Sequence, residues 1–329
     1  MYRSLWHLLI VQLLILIALL LPAIPVESEK YDFFFVVDIT RSMNVRDYLD
    51  VNGDPQSRLE KVKADLNQVL LQLPCGSTVG LGIFTERMPN IMFSPIEVCS
   101  NYLEIRDSIQ HLDWRMAWVA DSNIGLAFYN TIRLMQRLEL QHSHLVFMTD
   151  GHEAPPINPR YTPDFSELMQ NSERIIKGIV VGTGEHGLSR IPKFDEEGVQ
   201  TGYYTAEDVP HQSSFGLPED PTQIEGYVPR NAPWGNVRHD GNEHLSNVRE
   251  AYLTGLAEQS GFVYHHLQSA AAFSAALMQP DFASTAKRAS RFNHIPAAIA
   301  LLLLLLLYPI EQIFRRAAKQ IHKASATQT

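Results

Sequence analysis

A chain of 329 residues, 45% hydrophobic and 19% charged, can bury one sizeable core and has the composition of an ordinary globular protein. Its formal net charge is −9, and no long Lys/Arg cluster lies in the interior. The basic footprint of a nucleic-acid binder is therefore missing, and nucleic acid is excluded as a partner.

The N-terminus places Arg3 ahead of an almost uninterrupted apolar stretch from Leu8 to Val26. Residues 1–28 read as a secretory signal peptide or an uncleaved signal anchor, and either one exports the domain behind it. The folded part then opens with the strand-like run "YDFFFVVD". "SRLEKVKADLNQVLLQL" places Leu59, Val62, Leu66, Val69 and Leu73 at spacings of three and four, which predicts a helix with one buried stripe. "TVGLGIFT" and "NIMFSPIEV", joined by "ERMPN", predict an antiparallel hairpin turning near Arg87. Cys75 and Cys99, the two cysteines of the chain, are symmetric about that turn. In an oxidising compartment they are expected to form a disulfide.

Farther along, Leu103, Ile109 and Leu112 mark a weak helix, and Ile124, Phe128, Met135 and Leu138 a stronger one. "HLVFMTD" and "KGIVVGTG" predict two more strands, "SNVREAYLTGLAEQSG" a helix ending at Gly261, and "FVYHHL" a last strand. Strand and helix in alternation predict an α/β, doubly wound, mostly parallel sheet with one antiparallel edge strand from the hairpin. The domain is expected over residues 31–280, interrupted at about 186–246 by a Pro-, Gly- and acid-rich insertion whose several aromatics favour an ordered cap. Residues 292–310 are uncharged and long enough for a transmembrane helix, and Arg315, Arg316, Lys319 and Lys323 make 311–329 a basic cytoplasmic tail.

In the stretch "DITRS", Asp38, Thr40 and Ser42 stand at alternate positions where a buried strand leaves the core. An extended loop points such residues the same way, presenting a carboxylate and two hydroxyls to one point. That is hard oxygen ligation, suited to Mg²⁺, Mn²⁺ or Ca²⁺ and poor for zinc. Asp followed by hydroxyls is also an ordinary helix N-cap, so this stretch alone does not decide. Ser122, at the start of a helix in "SNIG", and Asp150, ending a strand in "MTDG", add two separated segments. In a parallel sheet these loops converge on the crevice at the carboxyl ends of the strands.

With these residues the chain resembles the von Willebrand factor A domain with its metal-ion-dependent adhesion site. The family pattern is D-x-S-x-S after the first strand, a hydroxyl at the start of a later helix and an Asp in T-D-G. The resemblance implies a metal site of Asp38, Thr40, Ser42, Ser122 and Asp150. Thr40 and Ser42 would bind the cation directly, Ser122 in one conformational state, and both carboxylates largely through water. It also implies Mg²⁺ ahead of Ca²⁺ or Mn²⁺, and an open coordination position for an acidic residue of a protein partner. "DITRSMN", "LPCGSTVGLGIFT", "PIEVCSNY" and "DWRMAW" are similar to the membrane-anchored MxaL-type accessory proteins of bacterial methanol dehydrogenase clusters. That likeness implies a domain on the periplasmic side of the bacterial inner membrane, with a methanol dehydrogenase subunit or assembly factor as partner. The expected function is a non-enzymatic one, assisting assembly or metal loading of a periplasmic enzyme. The alternatives are a Bat-type stress or adhesion protein and a metal-dependent hydrolase using His152 or Glu153.

Three other patterns read as structural. "HDGNEH", holding His239, Asp240, Glu243 and His244, is expected to be a solvated loop. Of the pair His265 and His266, one is expected to face the core and the other to be exposed. Asp50, Asn52 and Asp54 have calcium-loop spacing, but Pro55 stands where a calcium loop requires Gly, which makes the stretch a turn.

Overall fold

The computed structural model describes residues 2–117, 122–154, 162–169, 175–195, 197–209 and 242–306. It divides into two compact units, one formed by Glu29–Ser284 and the other by Met1–Ser28 with Thr285–Thr329.

The elements are β1 (Ile24–Asp38), β2 (Tyr48–Leu49), β3 (Pro55–Gln56), β4 (Thr78–Thr85), β5 (Met88–Glu97), β6 (His144–Thr149), β7 (Gly178–Gly182), β8 (Ser189–Arg190), β9 (Pro192–Phe194), β10 (Gln200–Tyr203), β11 (Leu245–Ser246), β12 (Val263–His266) and β13 (Ala283–Ser290). The helices are α1 (Tyr2–Leu20), α2 (Arg58–Gln72), α3 (Tyr102–Gln110), α4 (Ile124–Arg137), α5 (Ser166–Met169), α6 (Glu250–Ser260) and α7 (Ala270–Leu277).

The main sheet runs β12-β7-β6-β1-β4-β5, with β13 paired to β1. β12, β7, β6, β1 and β4 are parallel neighbours, and β5 is the antiparallel edge on β4. Chain order moves outward from β1 to β4 and β5 on one side, then resumes with β6 on the other. The crevice beyond the carboxyl ends of β1 and β6 is thus the switch point where such sheets bind ligands.

Successive residues of β1 serve opposite faces. Phe33, Phe35 and Val37 join Val62, Leu66 and Phe273 in one core cluster. Phe34 and Val36 join Phe128, Phe147 and Leu253 in the other. The five-residue apolar run is therefore a central strand covered on both sides, with each side chain at 0–1% exposure. α2 begins at a capping box in which Ser57 and Glu60 exchange side-chain-to-backbone bonds. It packs on α7, which sequence periodicity does not reveal because "AAAFSAAL" carries only two large apolar residues, Phe273 and Leu277.

The Cys75–Cys99 disulfide is formed and ties the start of β4 to the end of β5. The 50–56 stretch is the turn of the β2–β3 hairpin, with Asp50 Oδ1 accepting from the Asn52 and Asp54 amides. At the insertion, β8 pairs with β11 and joins the two ends, while β9 and β10 form a second ladder. Residues 210–241 of the insertion lie outside the described residues, as do Trp118 and the tail at 311–329.

α1 exposes Trp6, Leu13, Leu16, Leu19 and Leu20, and the expected span at 292–310 is helical over 294–306 with Leu301, Leu302 and Leu305 exposed. Among the described residues no helix is long and apolar enough to cross a membrane.

Candidate metal centre

The site begins where β1 leaves the core. Asp38 is fully buried; its Oδ1 accepts from the Thr40 amide at 2.8 Å and its Oδ2 from Thr149 Oγ1 at 2.6 Å. The first bond turns the chain at once, and a 3-10 turn over Arg41–Asn44 follows, with the Met43 amide on Thr40 O. Thr40 and Ser42 thereby bring their hydroxyl oxygens to 3.2 Å of each other. The helix-cap alternative does not apply, since Thr40 precedes the turn without a side-chain capping bond.

β6 supplies the opposite wall. The Gly151 amide donates to Thr149 Oγ1 at 3.0 Å and the His152 amide to Asp150 Oδ1 at 2.9 Å, a reversal for which Gly151 adopts a φ of 77°. Ser122, two residues ahead of α4, is held to this loop from both sides. Its hydroxyl donates to His152 O at 2.7 Å and accepts from the Ala154 amide at 3.1 Å, while its own amide bonds Ala154 O. Asn123 caps α4 by accepting from the Leu126 amide.

All five sequence-predicted residues meet here. Thr40, Ser42 and Ser122 line one cavity of about 50 Å³ together with His152. Asp38 and Asp150 lie against the same loops, close enough that Asp150 contributes to raising the Asp38 carboxyl. Burial first, then that charge, pushes Asp38 up to about 7, against the pull of its Thr149 and Thr40 bonds. Burial also works to raise Asp150, yet Arg58, His152 and Ser246 outweigh it and hold Asp150 below its ordinary value. His152 is lowered by burial, and its Nε2 has no hydrogen-bond partner among the described residues.

Arg58, absent from the sequence reading, is the third charged group. It is 0% exposed at the first position of α2. Its Nη1 donates to Asp150 Oδ2 at 2.5 Å and Ser246 Oγ at 2.7 Å, and its Nε and Nη2 engage Asp47 at 2.6–3.2 Å. Gly184, at φ 106°, leaves room for it, because a Cβ there would lie 2.4 Å from Arg58 Nε. Only the position of Arg58 in the buried stripe of the predicted helix, beside Leu59 and Val62, could have signalled it.

The donor set fits a hard divalent cation. Three hydroxyls face one cavity, backed by two carboxylates that a positive charge between them would relieve. Thr40, Ser42 and Ser122 would hold the ion, with Asp38 and Asp150 behind them. The acid and thiol cluster Cys75, Glu97 and Cys99 is a different case, since its sulfurs are spent in the disulfide.

Residues 33–152 match the family model described as von Willebrand factor type A domain. The matched segment contains all five candidate ligands, and the α/β fold is von Willebrand A-like. Among solved structures, the chain is similar to an aerotolerance-related membrane protein from Bacteroides fragilis with multiple mutations to serines, at 16% identity and a TM-score of 0.47, covering 75% of this chain and 96% of that one. It is similar also to BatB from Bacteroides thetaiotaomicron (16%, TM-score 0.47, covering 75% and 95%) and to manganese-loaded TRAP protein of Plasmodium vivax (10%, TM-score 0.38, covering 81% and 81%). No curated protein matches the chain. Likenesses at these TM-scores carry no weight for function.

Several expectations need correction. Glu243 is not solvated; it is 8% exposed and lines the cavity beside Ser42 and Ser122. Neither histidine of the last strand faces solvent freely: His265 stacks on Phe273 at 5.9 Å, and His266 Nε2 meets Gly184 O at 2.8 Å. Trp114 of the "DWRMAW" stretch stacks on Phe194 of the insertion at 5.4 Å. Glu153 is turned toward α4, where its Oε1 accepts from the Ile124 and Gly125 amides and from the Tyr252 hydroxyl.

Proposed function

We propose that this chain is a membrane-tethered, extracytoplasmic von Willebrand A module that binds a divalent cation at Asp38, Thr40, Ser42, Ser122 and Asp150 and through it grips a partner's carboxylate. The observation that carries this reading is the meeting of Thr40, Ser42 and Ser122 in one cavity at the switch point between β1 and β6. Neutral hydroxyls leave the ion most of its charge, so an incoming Asp or Glu is attracted strongly. Mg²⁺ is the ion proposed, with Ca²⁺ and Mn²⁺ meeting the same donors.

The role is adhesive rather than hydrolytic. Supporting this is the engagement of Glu153 with the start of α4, which leaves it no free approach to a water on the ion. The tether is supported by the exposed leucines of α1 and of 294–306, a surface suited to lipid. Export by the N-terminal segment puts the domain on the periplasmic side of a bacterial inner membrane. The client proposed is an exported enzyme under assembly or metal loading, with a methanol dehydrogenase as the first to test. A Bat-type stress role would use the same site on another client.

The test is a pull-down from detergent-solubilised membranes with and without chelator, comparing wild type with Asp38→Ala. A client captured only by the metal-loaded wild type is the expected result. Equal capture in every condition would remove the adhesion mechanism.

A further inference from the structure

We propose that Arg41 is a second recognition point beside the cation, so that the partner segment carries two acidic residues at alternate positions, one carboxylate on the ion and the other on the Arg41 guanidinium. This rests on the function proposed above and names the partner chemistry that the site selects.

The metal loop itself singles Arg41 out. In the turn Arg41–Asn44, the residues Ser42, Met43 and Asn44 are buried and Arg41 is exposed. It stands between Thr40 and Ser42, and all three line the same cavity, which is open to solvent. Among the described residues that line it, Arg41 is the one lysine or arginine. Arg58, the other arginine near this loop, is fully buried and saturated by Asp47, Asp150 and Ser246.

The Arg41 guanidinium is held but not spent. It lies 5.2 Å over the Tyr204 ring, and among the described residues its side chain has no hydrogen bond and no ion pair. Tyr204 is fixed in turn, its amide donating to Ile191 O at 2.9 Å. Stacking on a ring face restricts the long side chain and leaves the in-plane N–H donors free for an acceptor. Neither acid lining the cavity takes them. Asp208 accepts from Lys193 Nζ, the Thr205 amide and Thr205 Oγ1 at 2.8–2.9 Å, and Glu243 is engaged in an interaction of its own.

A planar fork of donors matches a carboxylate in two parallel bonds. Side chains at alternate positions of an extended segment share one face about 7 Å apart. Such a pair suits an ion on Thr40 and Ser42 together with the guanidinium of the residue between them. The charge balance asks for the second point as well. With a formal net charge of −9, the chain as a whole repels an acidic segment. Attraction is therefore concentrated at this mouth, where the ion supplies one positive centre and Arg41 the other.

The experiment uses the full chain in detergent, loaded with Mn²⁺, and two end-capped peptides as probes, Gly-Glu-Gly-Glu-Gly and Gly-Glu-Gly-Gln-Gly. Binding is read from the saturable relaxation that the bound Mn²⁺ imparts to the peptide protons. Wild type is expected to bind the two-acid peptide about fivefold more tightly than the one-acid peptide. Arg41→Gln is expected to bind both nearly alike. A preference that survives in Arg41→Gln, or a wild type that does not distinguish the peptides, would overturn this inference and leave the adhesive function standing. A wild type that takes up no Mn²⁺, or whose bound Mn²⁺ relaxes neither peptide, would overturn both.

Discussion

The exit of β1 and the return of the insertion at Ser246 both reach the cavity at the sheet rim, but by different means. The first places Asp38, Thr40 and Ser42 through its own backbone, with an aspartate-to-amide bond two residues long. The second has no such local logic. Ser246 is fixed by Arg58 and Asp150, which are 188 and 96 residues away in sequence. A site can therefore have one half written in a pentapeptide and the other half assembled only by the fold.

The sharpest way to break this contrast is to remove charge from the local half. Asn at position 38 can still accept from the Thr40 amide and donate to Thr149 Oγ1, so Asp38→Asn should fold. Without the carboxylate, Mn²⁺ or Mg²⁺ affinity should fall by up to about 100-fold, measured by titration calorimetry. Unchanged affinity would show that the β1 exit is only a well-ordered turn. In the assembled half the large effect should fall on stability instead. Arg58→Met strands Asp47 and Asp150 without their counter-ion and should cost about 3–5 kcal/mol in denaturant unfolding. Ser246→Ala removes one partner of that network and should cost about 1 kcal/mol. Equal losses from the two would mean that the insertion, not the arginine, carries the joint.

Legibility in the sequence divides along the same line. The apolar run at Phe33–Val37, the stripe of α2 and the hairpin between the cysteines are periodic or symmetric patterns, and they appear as β1, α2 and the β4–β5 pair. Asp38, Thr40 and Ser42 are visible as a spacing, and Ser122 and Asp150 as the ends of recognisable elements. Arg58, Ser246 and Glu243 are not, because a lone charged residue or serine has no signature until distant segments are superposed. Glu243 is hidden further by its surroundings, since "HDGNEH" is polar throughout and polarity alone suggests solvent.

The hairpin tests whether the edge of the sheet matters to its rim. Cys75 and Cys99 enclose a separation of 24 residues, and replacing both by Ser should lower unfolding stability by about 3 kcal/mol. The disulfide ties the start of β4, at the Asp32 end of β1 and not the Asp38 end, so Mn²⁺ affinity of the folded fraction should be unaltered. A parallel loss of metal binding would make the whole sheet, rather than two loops, the unit that builds the site.

A pH-dependent effect is expected on the loop that follows β6. Burial pushes Glu153 up to about 7, against the Tyr252 hydroxyl and the α4 amides. Its folded state holds a proton more tightly than the unfolded chain does, so between about pH 4.5 and 7 the native form binds more protons and stability falls as pH rises. Asp38, also pushed up to about 7, contributes a slope of the same sign, which is why a single curve would not separate them. Glu153→Gln keeps an acceptor for the Ile124 and Gly125 amides and abolishes only its own titration. Subtracting the variant's pH–stability curve from that of wild type should leave a decline confined to that window, while a flat difference would place the Glu153 proton in both states alike and assign the whole slope to the carboxylate pair at the β1–β6 rim.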